Sequence, residues 1–76
     1  MVEFSHHAQR KMAERNISPE RVETVLHIGS TVPDIKNRMR AVATVENLET
    51  TVIFIEQDDK LVIITAWDEL SIKGGL

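Results

Sequence analysis

The sequence predicts an α+β domain in which an N-terminal helical hairpin packs on one face of a three- to four-stranded antiparallel sheet. Three observations carry that expectation. Apolar residues recur with a helical period up to Ile28, the pattern turns to alternation after Thr31, and Asp58-Asp59 parts two apolar runs as a hairpin turn would. Seventy-six residues without repeats or linkers are expected to form a single domain over 1–76.

Ser5 followed by HHAQRKMAERN reads as an N-cap and about three turns of helix, with Ala8 and Met12 on one side and Arg15 beside them. Asn16 and Ile17 end it. Ser18 and Pro19 restart a helix with a capping hydroxyl and a proline at the first position, and Val22, Val25 and Leu26 form its apolar stripe up to the stop at Gly29.

A short strand near Ser30 to Val32 is expected next. In the following strand Met39, Ala41, Ala43 and Val45 face the core, while Arg38, Arg40, Val42 and Thr44 face away. Asn47 to Glu49 reads as a turn, then TVIFIE from Thr51 as a strand, and LVIITAW from Leu61 as the last. That strand is apolar on both faces, since Leu61, Ile63 and Thr65 alternate with Val62, Ile64 and Ala66. Cover for the second face is expected from another subunit, a partner protein or the tail ELSIKGGL.

A chain this short buries little more than about 60% of its unfolded surface. It has no cysteine, so disulfides, thiolate metal sites and a cysteine nucleophile are excluded. MVEFSHHAQRK lacks the apolar core of a signal peptide and no run is long enough to cross a bilayer, so a soluble cytoplasmic protein without membrane association is expected. The net charge of −3 is unevenly divided. Residues 1–40 hold seven Lys/Arg against five Asp/Glu, and residues 41–76 two against seven, which leaves room for an anionic ligand near the first half.

His7, Lys11 and Arg15 fall at i, i+4 and i+8, a helical ridge that drifts by only about 40°. Such a ridge can meet one anion, with the histidine to move protons and the two cations to hold phosphate. Two ordinary solvated side chains and a packed histidine would give the same spacing. His6 points about 100° away from His7. Arg38 and Arg40 share a strand face where they can bind phosphate or simply guard an edge, and Trp67 can stack on a base or fill the margin of the core. No metal-ligand spacing, Gly-rich phosphate loop or nucleophile elbow is present, and no cofactor is expected.

The run FSHHAQRKMAERNIS, the VETVLHIG segment ending at Gly29 and the closing VIITAW resemble the domain of unknown function 4258 family over most of the chain. The resemblance implies a helical hairpin and a curved antiparallel sheet, similar to the fold shared by RelE-like and BrnT-like toxins, barnase and colicin ribonucleases. It implies metal-independent, toxin-like ribonuclease chemistry, with His7 as the first catalytic candidate and Arg15 and Arg38 or Arg40 on the phosphate. Lys11 stands where relatives commonly have Arg and Trp67 where they commonly have Tyr, so a bidentate fork and a phenolic proton are both missing.

The expectation is therefore an endoribonuclease that cleaves RNA by 2′-hydroxyl attack. His7, Arg15 and Arg38 are its catalytic candidates, and Lys11, Arg40 and Trp67 its substrate-binding ones. The alternative is a non-catalytic interaction module on the same scaffold. The partners expected are RNA, an antitoxin-like protein, and a second copy or other protein held through the sheet.

Overall fold

The computed structural model describes residues 1–70, and within them the fold is α+β. The elements are β1 (Val2–Phe4), α1 (His6–Arg15), α2 (Pro19–Ile28), β2 (Ser30–Pro33), β3 (Met39–Val45), β4 (Leu48–Gln57) and β5 (Lys60–Leu70). The strands form one sheet in the order β1-β5-β4-β3-β2. It has five strands and is mixed, not three or four and antiparallel, because β1 runs parallel to β5. Three residues are too few to show a period in the sequence. β1 exists through its neighbour: Leu61 N–H donates to the Met1 carbonyl at 2.9 Å and Ser5 N–H to the Ile63 carbonyl at 3.1 Å.

Both helices start as their capping residues dictate. Ser5 Oγ accepts from Ala8 N–H at 3.0 Å and Ser18 Oγ from Arg21 N–H at 3.1 Å, each satisfying a donor that the first turn leaves open. Asn16 closes α1 in the left-handed region, at φ 57°, and Ile17 N–H then donates to the Met12 carbonyl at 2.9 Å. That turn sends Ile17 back into the core. The helices rest chiefly on the sheet, α1 on β5 and α2 on β3 and β4.

The core lies between helices and sheet. Ala8, Met12, Ile17, Val22 and Val25 meet Ala41, Ala43, Val52, Phe54, Ile63 and Ala66, and the alternation expected in β3 is the one observed. β5 departs from simple alternation. Ile53 pairs with Thr65 but Phe54 with Ile63, so Ile64 is an extra residue in a bulge. The bulge reverses the phase of the strand, which lets Ile63 and Ala66, three apart, both be fully buried against the helices. Much of the double apolar character of this strand is therefore a change of phase. Glu69 and Leu70 continue β5, and the rest of the tail expected to fold back, residues 71–76, lies outside the described residues.

The turn after β3 is Glu46-Asn47 rather than Asn47 to Glu49, and β4 begins at Leu48. Its two residues have φ 52° and 68°, and Asp58-Asp59 between β4 and β5 have φ 51° and 64°. Two positive φ angles in a two-residue loop suit the twist of a hairpin but strain side chains other than glycine. Gly29 is a glycine for a different reason. Its φ of −79° is ordinary, yet an added Cβ would lie 2.5 Å from the Val25 carbonyl oxygen and 2.7 Å from that of Val42.

Two stability outcomes follow from these positions. Gly29→Ala should lower unfolding stability by about 1–3 kcal/mol through overpacking, measured by urea titration, and an unchanged midpoint would refute the close approach. Replacing Asp58-Asp59 by Asn-Gly should raise it by roughly 0.5–1 kcal/mol, visible as a higher melting temperature.

Candidate functional site

Helix α1 presents three distinct sides. Ala8 and Met12 enter the core; His6, Gln9 and Ala13 face a groove of about 750 Å³ that Phe4, Ile17 and Pro19 also line. His7, Lys11 and Arg15 occupy the opposite flank, by the 100° step of the helix. The adjacent histidines thus serve different surfaces, and both are exposed.

Arg15 is anchored. Its Nη1 donates to the Ala66 carbonyl at 2.8 Å, beyond the point where β1 stops opposite Ile63, so the side chain lies along the part of β5 that β1 does not reach. Lys11 is half-buried, with Nζ 3.5 Å from Glu14 Oε1 on the next turn. Ser5, which starts the helix, also places its hydroxyl 3.5 Å from the Ile64 carbonyl, so both ends of α1 are tied to β5. The ridge expected from the sequence is present as one continuous flank.

The remaining candidates lie elsewhere. Because Ala41 is buried against the helices, Arg40 projects from the other face of the sheet, where Nη2 is 3.7 Å from Asp34 Oδ1. Arg38 stands just ahead of β3 in the loop from β2, its N–H donating to the Ile35 carbonyl at 3.0 Å and its side chain exposed. Trp67 follows the buried Ala66, so it too takes the face away from the helices, opposite Thr51 of β4 and half-buried. The sheet separates Arg40 and Trp67 from the His7, Lys11 and Arg15 flank, and Arg38 belongs to the loop ahead of β3, two strands along the sheet from the β5 on which α1 rests.

A third cluster had no signal in the sequence reading. Arg21, in the first turn of α2, donates from Nε to Thr50 Oγ1 at 2.9 Å and from Nη2 to the Val45 carbonyl at 3.0 Å. The Thr50 hydroxyl donates onward to Asp68 Oδ1 at 2.6 Å, and Arg21 Nε is 3.5 Å from that same oxygen. A hydroxyl between a carboxylate and a guanidinium resembles an activated nucleophile, but Thr50 is 0% exposed and no substrate reaches it. The cluster is a tie between α2 and three strands. Only the cross-strand register, which sets Ala43, Thr50 and Asp68 in one row, would have revealed it.

Arg21→Met should cost about 2 kcal/mol or more, because it strips a largely buried carboxylate of its counter-ion and a strand-end carbonyl of its donor. Combined with Asp68→Leu, the loss should fall short of the sum of the two single losses by about 1 kcal/mol in a denaturation cycle, and strict additivity would argue against the tie.

Among the described residues no group of three or more His, Asp or Glu side chains is gathered to hold a metal ion, and no helix is long and apolar enough to cross a membrane. No curated protein and no solved structure matches the chain. Residues 4–68 match the family described as domain of unknown function (DUF4258), a span from the strand before α1 to the Asp68 of the buried tie. The chain belongs to that family.

Proposed function

We propose that the protein is a toxin-like, metal-independent endoribonuclease that works from the outer flank of α1. The observation that supports this reading is the single line of His7, Lys11 and Arg15 on the side of the helix away from the groove, with Arg15 held at the Ala66 carbonyl. A guanidinium has five N–H donors and this bond uses one, so the others remain for a phosphate. The Lys11–Glu14 pair has side chains 31% and 54% exposed, and a pair of that kind is weak enough to yield to a phosphate.

In the reaction, neutral His7 takes the proton of a ribose 2′-hydroxyl as O2′ attacks the adjacent phosphorus. The P–O5′ bond breaks, the 5′-oxygen takes a proton from water, and a 2′,3′-cyclic phosphate remains. Lys11 and Arg15 offset the charge that builds on the phosphoryl oxygens. Arg40 and Trp67, on the other face, and Arg38, in the loop ahead of β3, have no part in this step. The reading takes the sheet as a RelE-like one with β1 added at its edge, and it places the protein in the cytoplasm with an antitoxin-like protein as partner.

A second reading, a non-catalytic RNA-binding module, draws on the exposure of His7 and on its lacking an orienting hydrogen-bond partner among the described residues. Incubation with single-stranded RNA in EDTA separates the two. Cleavage to cyclic-phosphate ends, reduced roughly 10²- to 10⁴-fold by His7→Ala and unchanged by His6→Ala, is the expected result. Binding without cleavage, with a log–log salt slope of about −1.4 for two phosphate contacts, would establish the module instead.

A further inference from the structure

Helix α1 gathers positive charge that the rest of the chain lacks. It carries Arg10, Lys11 and Arg15 against Glu14 alone, while the remainder of the sequence holds six Lys/Arg against eleven Asp/Glu. An anion meets less opposing charge on α1 than on the molecule as a whole. Ala8 and Met12 point into the core, so the helical step sets Arg10 on the opposite, solvent-facing crest, and it is exposed.

His7 stands between two of these cations. Lys11 is one turn further along the axis, about 6 Å on and about 40° round one side, and Arg10 is on that same turn, about 4.5 Å on and about 60° round the other side. Glu14, at i+3 from Lys11 and i+4 from Arg10, engages Lys11 at 3.5 Å, and Arg10 makes no ion pair among the described residues. Lys11 and Arg15 thus share one side of His7, and Arg10 alone occupies the other.

A ribonucleotide strand has the same order of parts. The ribose whose 2′-hydroxyl attacks has the phosphate under attack on its 3′ side and another phosphate on its 5′ side. Under the ribonuclease reading, on which this step rests, His7 faces the 2′-hydroxyl while Lys11 and Arg15 face the 3′ phosphate. We infer that Arg10 binds the phosphate on the 5′ side of the attacking nucleotide, so that the strand crosses α1 with this ribose over His7 and one phosphate to either side. Arg10 is then a substrate-positioning residue. Its guanidinium presents five N–H donors to the phosphate oxygens and meets no reacting atom, so it strengthens binding without changing the chemical step. A nucleotide with a 5′-hydroxyl in that place is the poorer substrate.

A pair of dinucleotides that differ only in carrying a 5′-phosphate or a 5′-hydroxyl tests this. Each is made in a ribose form and in a 2′-O-methyl form that cannot be cleaved, and each is given to wild type, Arg10→Gln and Lys11→Gln, all checked for an unchanged melt. In wild type the 5′-phosphate should lower KM, and the Kd of the 2′-O-methyl form followed by NMR titration, roughly three- to fivefold with kcat unchanged. Arg10→Gln should erase that gain, whereas Lys11→Gln, which weakens both dinucleotides, should keep it. With a longer 2′-O-methyl strand, Arg10→Gln should also flatten the log–log salt slope by about 0.7. No gain in wild type, a gain that survives Arg10→Gln, or one that vanishes in Lys11→Gln would overturn the assignment. An Arg10-dependent gain in the 2′-O-methyl pair, with the ribose pair left uncleaved, would uphold the phosphate site and refute the ribonuclease reading alone.

Discussion

The guanidinium of Arg21 is the interaction on which the packing at one end of this fold depends. The helix-facing side of the sheet grades from large to small side chains along the strands. Met39, Phe54 and Ile63 fill one row, Ala41, Val52 and Ala66 the next, and Ala43, Thr50 and Asp68 the third. The third row has too little apolar bulk to hold a helix. Arg21 closes it instead, engaging the threonine, the aspartate and the strand-end carbonyl of Val45. The small residues and the long cation are two halves of one solution, since an arginine can reach the strands only where the side chains beneath it are short.

That grading also explains what the sequence could and could not disclose. The two Ser caps, the Val22 and Val25 stripe and the alternation of Met39 to Val45 are local patterns, and the structure contains them as read. β1 was invisible because three residues have no period and its partner lies at the far end of the chain. The bulge at Ile64 was invisible because a run of apolar residues accepts either phase, and only the burial of both Ile63 and Ala66 shows which residue is extra. Arg21 read as an ordinary first-turn residue, since its three partners come from different strands.

The candidate residues divide along the same line. The ridge of His7, Lys11 and Arg15 needed only the helical step, so its continuity was legible in advance. Which of the paired histidines belongs to the groove depended on where β1 and the start of α2 sit, and that is tertiary information. Arg40 and Trp67 were each assigned a strand, but only the assembled sheet puts the body of the protein between them and α1. The sheet is a partition, with the flank of His7, Lys11 and Arg15 on one side and the strand surface of Arg40 and Trp67 on the other.

The parallel pairing of β1 with β5 has a consequence for the order in which the chain takes shape. α1 is made well before β5, yet its cap hydroxyl lies against Ile64 and its terminal arginine is held by Ala66, a contact 51 residues distant in sequence. Contacts that close so long a loop form late, because the chain must surrender entropy before they are made. On a ribosome, α2 and the β2–β3 hairpin have their neighbours in hand while α1 is still without a floor. The flank that carries His7, Lys11 and Arg15 is then built late, and a nascent chain stays without its support until β5 has emerged.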